Sequence, residues 1–229
     1  MWKKCVVPAL LILLAVSLVS CFDDEEDRVI PPKSPYKSLS ADGPRDNALF
    51  NLQLSCNERN IDRYDELLEE NFVFYFSPAD VQNGTVSSES WNRASEMTAE
   101  ANLFDPNYSN PSQEPAQDID LTLVYPSGDD QWTPIEPEDQ VTYPGETWYQ
   151  KIVTYNLVVQ LPGDFQYVGL NKQAALVLRA ATTNSKQVWR IVTWRDDTGT
   201  SFRGVVRRGQ AAGIAEDTTW GQVKALYSE

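Results

Sequence analysis

Histidine is absent from this 229-residue chain, so the side chains able to do chemistry are 33 carboxylates, the tyrosines, and 19 lysines and arginines. Without histidine there is no ordinary neutral-pH general base and no ordinary metal ligand; histidine-based triads and most zinc sites are excluded. A carboxylate whose pKa is raised by burial is the remaining candidate base. No cofactor and no metal site is expected. The candidate pocket is aromatic with one cation: strand and helix alternation brings Tyr75, Trp91, Tyr155, Arg179 and Trp194 towards one place. An aromatic wall with one guanidinium suits an apolar ligand bearing a carboxylate. The same pattern also fits a packed core, with Arg179 as an edge charge or a structural partner for a carboxylate. Arg195-Asp196 reads as a local pair at a strand end, and Arg207-Arg208 as a solvated turn.

The three cysteines have different fates. Lys3 and Lys4 precede an apolar run from Val6 to Val19 that ends Leu18-Val19-Ser20-Cys21. A basic start, a short apolar segment and small residues at its end make a secretory leader. The dozen or so residues after Pro8 cover roughly 20 Å of a hydrocarbon core about 30 Å thick, which is short for a span. Leu18-Val19-Ser20-Cys21 resembles the bacterial lipoprotein lipobox, in which cleavage before the cysteine exposes it for acylation; Cys21 is therefore the expected lipidation site. An ordinary cleaved leader or a short anchor is the alternative. Cys5 leaves with the leader, and Cys56 falls on an apolar helical pattern as a buried, inert thiol.

Charge narrows the partners. The net charge of -14 becomes two units more negative when Lys3 and Lys4 are removed. A surface this acidic is repelled by nucleic acid and by anionic headgroups. No nucleic-acid partner is expected, and the membrane link is the lipid on Cys21. Phe22 following the cysteine favours the outer membrane, facing the periplasm or the cell surface, within the cell envelope.

The chain divides into a leader over 1–20, a tether over 21–45 and a folded domain over 46–229. The acidic run after Phe22 and Pro31, Pro32, Pro35 and Pro44 favour an extended, solvated tether. Leu49, Leu52 and Cys56 share a helical face, and Ile61, Tyr64, Leu67 and Leu68 repeat the spacing after a break near Asn57–Asn60. Asn60 caps the second helix. Asn71–Ser77 reads as a strand covered on both sides. A third helix over about Ser88–Leu103 would place Trp91, Ala94, Met97, Ala101 and Phe104 on one face. Strands occupy Asp120–Tyr125, Thr147–Leu161, Phe165–Thr183 and Val188–Arg195. In the last, Trp189, Ile191 and Thr193 should share one face and Arg190, Val192 and Trp194 the other. Asp217-Thr218-Thr219 can cap a short final helix carrying Trp220, Val223 and Leu226 or Tyr227. The order is α+β, with helices on one face of a sheet.

That order, with Asn57-Glu-Arg-Asn-Ile-Asp-Arg-Tyr-Asp-Glu-Leu-Leu-Glu-Glu-Asn-Phe-Val-Phe-Tyr-Phe76 and Trp189-Arg-Ile-Val-Thr-Trp-Arg-Asp196, resembles the NTF2-like (SnoaL-like) superfamily. The resemblance implies a strongly curved antiparallel sheet wrapped around N-terminal helices, a cone with a cavity at its wide end. Members of that superfamily isomerise steroids, cyclise polyketides, dehydrate small molecules, bind proteins or dimerise, so the resemblance leaves function open. Catalytic members use an Asp-His pair, impossible here, or an Asp base with a Tyr and a protonated Asp, which no residues of this chain match one by one. The chain can be read in three ways. The first is a tethered, non-catalytic domain binding a small apolar ligand or a partner protein. The second is an isomerase, dehydratase or cyclase using a buried carboxylate, and the third a structural protein forming a homodimer through its sheet. An open pocket of about 300 Å³ or more lined by the named aromatics would favour the first, and a filled cone the third.

Overall fold

The computed structural model describes residues 34–196 and 215–228. The chain divides into two units, Met1–Pro35 and Tyr36–Glu229. Cys21, the leader and Arg207-Arg208 lie outside the described residues, and the described helices and strands all belong to the second unit.

Helix α1 (Asp46–Asn57) buries Leu49, Leu52 and Cys56, and Arg59, at φ 51°, turns the chain out of it. Burial pushes the Cys56 thiol well above its usual value, which suits an inert core residue. Helix α2 (Ile61–Asp65) starts at Asn60, whose side chain accepts a hydrogen bond from Arg63 N. The apolar repeat then changes period: Leu68 opens strand β1 (Leu68–Tyr75), which sends Phe72 and Phe74 to the core. A helical turn that the apolar spacing does not announce, α3 (Pro78–Gln82), comes next, capped by Ser77 with Pro78 at its start. Short strand β2 (Ser90–Asn92) leads into α4 (Arg93–Phe104), capped by Asn92.

The sheet is built from β3 (Asp118–Val124), β4 (Thr133–Ile135), β5 (Trp148–Gln160), β6 (Gln166–Thr183) and β7 (Lys186–Asp196), with β8 (Ala215–Asp217) after the undescribed segment. Its order is β2-β1-β7-β6-β5-β3, with β4 on β5 and β8 on β6. The antiparallel sheet implied by the resemblance is mixed: β1 runs parallel to β7, and β8 parallel to β6. A parallel pair needs a long crossover, and here the whole span from α3 to β6 separates β1 from β7. The curved, unclosed sheet folds over the helices, and helix α5 (Trp220–Leu226), held by a Thr219/Gln222 capping box, packs against its inner face.

Three expectations are corrected by packing. Residues Tyr36–Arg45, expected as the end of the tether, are laid on the domain: Trp189 N donates to Leu39 O, Ala41 N to Gln187 O, and Asn51 exchanges hydrogen bonds with both backbone groups of Lys37. Helix α4 turns a different face inwards. Ala94 and Ala101 are exposed while Glu96, Ala99, Glu100 and Leu103 are buried. In β7, Ile191 pairs Leu178 and Thr193 pairs Val177, so Val192 is an extra residue. That bulge switches the alternation. Trp189, Ile191 and Trp194 all enter the main core, whereas Val192 packs outside with Trp148 and Val177.

Candidate functional site

The chemistry-bearing groups gather in two places, one under the sheet and one on top of it. Under the sheet, Lys224 of α5 is fully buried with Glu96 and Glu100 of α4. The two glutamates are one helical turn apart, so both face the same side. Lys224 Nζ donates to Glu96, and it lies 3.1 Å from Glu100 Oε1 as an ion pair. Tyr64 OH also donates to Glu96, and Trp91 Nε1 donates to its other oxygen at 2.9 Å. The ammonium is boxed by rings, 4.3 Å from the Phe74 centroid, 4.7 Å from that of Trp194 and 5.2 Å from that of Trp220. Burial alone would lower the Lys224 pKa; the charges of Glu96 and Glu100 outweigh it and hold it above its usual value. Burial pushes the Glu100 carboxyl up to about 7, against the opposing pull of Lys224. Lys224 is the cation in direct contact with Glu100, and the indole N–H groups of Trp194 and Trp220 are buried without a hydrogen bond among the described residues.

Beside this cluster lies Asp196. It accepts from Tyr155 OH at 2.5 Å and from Gly221 N at 2.7 Å, while Trp220 N donates to the Tyr155 hydroxyl at 3.0 Å. Burial raises the Asp196 carboxyl to about 6, and the two hydrogen bonds moderate the rise. Gly221 is needed for this approach, because a Cβ there would sit 2.8 Å from Phe76 and 3.1 Å from Asp196 Oδ2. Asp80 completes the seat of α5, accepting from Thr219 Oγ1 at 2.7 Å and Gln222 Nε2 at 2.6 Å. Trp220 stacks on Trp194, with ring centroids 6.0 Å apart and planes 6° apart. A carboxyl near 6 beside a tyrosine is an arrangement from which a general base can be made, but here the chain's own final helix occupies the space in front of it.

On the outer face, β6 and β7 put Arg179 directly opposite Arg190. Arg179 is held by Glu146 through Nε at 3.1 Å and a second nitrogen at 3.0 Å, and by Glu69 at 2.6 Å. Arg190 makes no hydrogen bond or ion pair with any described residue, and its partial burial lowers its pKa. Both arginines, with Arg93 at the start of α4, line a cavity of about 610 Å³. Two other cavities are described, one of about 330 Å³ at Gln113 and Tyr167 and one of about 190 Å³ at Tyr36 and Asn51, the latter sharing Glu66 with the large one.

The five residues expected to share one pocket therefore separate. Trp91, Tyr155 and Trp194 belong to the inner cluster, where they are committed to Glu96, to Asp196 and to Trp220 respectively. Tyr75 and Arg179 are on the other face; Tyr75 lies under the Arg195 guanidinium, 3.9 Å from the ring centroid. Arg195 and Asp196 are not paired, since Arg195 reaches Glu138 while Asp196 points inwards. Of the cavities described, only the one on the outer face meets an expected residue, Arg179.

Sequence reasoning missed Glu96, Glu100, Lys224 and Arg190. A usable signal existed for the first three. Trp220, Val223, Lys224 and Tyr227 occupy positions i, i+3, i+4 and i+7, so a lysine sits inside an apolar stripe, and Glu96 and Glu100 repeat at i, i+4. Arg190 carries no comparable signal.

No family model matches the chain, and no curated protein matches it. Among solved structures it is similar to an NTF2-like superfamily protein from Salmonella enterica, at 12% identity and a TM-score of 0.43 over 71% of this chain and 92% of the other. It is also similar to an NTF2-like protein from Rhodospirillum rubrum, at 9% identity and 0.40 over 66% and 93%. A third, from Cytophaga hutchinsonii, gives 10% and 0.34 over 66% and 91%. The α+β cone rests on the helices and the curved sheet themselves, and at these scores the likenesses carry no argument about either site.

Proposed function

We propose that this chain is a lipid-tethered envelope protein whose α+β domain binds a small ligand or a partner protein and does not catalyse. The seating of α5 on the inner face carries this reading. The groups a catalyst would need, Glu96, Glu100, Asp196 and Tyr155, face Lys224, Trp220 and Gly221 of the same chain and not solvent. What remains open to a ligand is the outer face. The leader pattern ending in Cys21 supports the tether, and the acidic run after it supports a spacer holding the domain off an envelope membrane, by preference the outer one. Among the described residues no helix is long and apolar enough to cross a membrane.

The decisive experiment pairs two variants of the full chain. Cys21→Ala is expected to leave the protein unacylated and out of the membrane fraction; unchanged fractionation would reject the tether. A second reading, an isomerase- or dehydratase-type enzyme, is favoured by the raised carboxyl of Asp196 beside Tyr155. Turnover of a panel of keto-isomer and dehydration substrates that is abolished by Asp196→Asn would promote it, and absence of turnover in both proteins agrees with binding.

A further inference from the structure

We propose that segment 136–147, between β4 and β5, fills the outer face of the sheet as a second subunit would, and so keeps the chain from pairing through that face. This goes beyond the reading of the domain as a binder and depends on neither the tether nor a ligand. The inner face of the sheet is covered by helices, and a largely antiparallel sheet can leave its other face polar and wet. Here it does not. Trp148, Val177 and Val192 lie on the outer face, yet none is more than 6% exposed. Among the described residues, Ile135 and Tyr143 are the apolar ones packed on them. The Tyr143 ring meets Trp148 edge-on with centroids 5.2 Å apart, and the Arg179 guanidinium lies 4.5 Å from the centroid of the same ring.

These contacts have the anatomy of an interface made within one chain. Aromatic and arginine side chains occupy the centre, and hydrogen bonds and ion pairs close the rim. Asn71 Nδ2 donates to Tyr143 OH at 2.8 Å, Glu146 accepts from Arg179 and from Trp148 Nε1, both at 3.0 Å, and Arg195 reaches Glu138. Local geometry aims the segment. Asp139 accepts from Val141 N and Thr142 N, both at 3.0 Å, and Tyr143 N donates to Asp139 O at 3.1 Å. That turn leaves Val141 exposed at its tip and returns Tyr143 to the sheet. Gly145, at φ 74°, then bends the chain towards β5.

The face beneath the segment suits a second copy of this chain. Ile152 and Val124, both exposed, continue the apolar row: Ile152 pairs Ala175, two positions from Val177, and Val124 pairs Thr154, two positions from Ile152. A row of this kind can meet its own copy about a two-fold axis. Charge agrees. Arg195 stands at one end of β7, and the groove towards the other end carries four carboxylates to three arginines, so two copies turned end for end bring unlike charges together.

The test is sedimentation of the full chain carrying Cys21→Ala, so that no acyl chain contributes, together with hydroxyl-radical footprinting of Trp148. This parent protein should be monomeric up to about 100 μM, with Trp148 protected at every concentration. Adding Glu138→Gln and Tyr143→Ser removes one ion pair, the covering ring and the Asn71 hydrogen bond. That variant should expose Trp148 when dilute and form a dimer with a Kd on the order of 10 μM, in which Trp148 is protected again. Val192→Asp placed in it should restore the monomer, because an unpaired charge is not accepted at the centre of an apolar interface. Tyr143→Ser alone leaves the ion pairs in place and should show the same change at about tenfold higher concentration. A parent protein that dimerises overturns the proposal, as does a released variant that exposes Trp148 and stays monomeric. So does a dimer that survives Val192→Asp, or a Trp148 that stays protected in dilute variants. If the double variant fails to fold, Tyr143→Ser decides by the same outcomes.

Discussion

The two faces of the sheet treat their cations differently. Under the sheet, Lys224 is surrounded by two carboxylates and several rings, all from its own chain. Lys151 repeats this at the start of α1, bonded to Asp46 at 2.6 Å and Pro126 O at 3.0 Å over the rings of Trp132 and Tyr125. On top of the sheet, Arg179 is equally well supplied, whereas its neighbour Arg190 makes no direct ion pair among the described residues and feels Glu69, Glu66 and Asp65 only at a distance. A buried charge must be compensated for the chain to fold. A half-exposed one can be left to solvent or to a ligand. The inner charges are therefore read as part of the fold, and the partly exposed outer ones as open to solvent.

Removing Lys224 should break this contrast most severely if it is wrong. Lys224→Ala leaves Glu96 and Glu100 buried without a counter-charge, and a loss of about 3–5 kcal/mol is expected in urea unfolding. A loss near zero would mean that the ammonium is not what holds α5. The stacked indole should rank beside it, with Trp220→Ala costing about 3–5 kcal/mol by the same measurement.

The pH dependence gives a subtler separation. Glu100 and Asp196 have folded pKa values of about 7 and about 6, raised by burial above unfolded values of 4.5 and 3.8. The folded state then holds protons that the unfolded state has released, so the stabilisation is complete below the unfolded values and is lost as pH rises through the folded ones. Unfolding free energy should fall by on the order of a few kcal/mol between about pH 5 and about pH 8. Glu100→Gln should flatten that slope. Asp46 works in another window: its own burial opposes ionisation, but hydrogen bonds from Lys151, Gly128 and Trp132 hold its pKa below 3.8, so its contribution disappears only in stronger acid. A stability profile that rises over the same interval would reverse the account of the inner cluster. The smallest effect belongs to the outer face, where Arg190 makes no direct ion pair among the described residues and Arg190→Gln should change stability by no more than about 0.5 kcal/mol.

How far the sequence is legible can be judged element by element. The helix face of Leu49, Leu52 and Cys56, the Asn60 cap, the strands β3 and β5 to β7 and the capped final helix all follow local rules of period and capping, and the structure has them. Residues Tyr36–Arg45 look like tether because their composition is polar and proline-containing; docking depends on partners such as Asn51 and Trp189 that composition does not reveal. Periodicity alone rotates helix α4 away from its true face, because glutamates are assigned to solvent unless a counter-charge is known, and theirs lies 128 residues from Glu96 at Lys224.

Of the site itself, the sequence supplies the residue types and withholds their meeting places. By itself it determines the α+β order, the exclusion of histidine chemistry and the acidic, basic-poor surface, because these depend on composition and on neighbours within one turn or one strand. Only the tertiary structure decides which face each group serves. One extra residue at Val192 reverses the alternation and turns Trp194 and Asp196 inwards. Strand register then sets Arg190 against Arg179, and the return of the C-terminal helix places Lys224 between Glu96 and Glu100. Register and long-range ion pairing are set by packing across the whole domain, and no local window of sequence contains them.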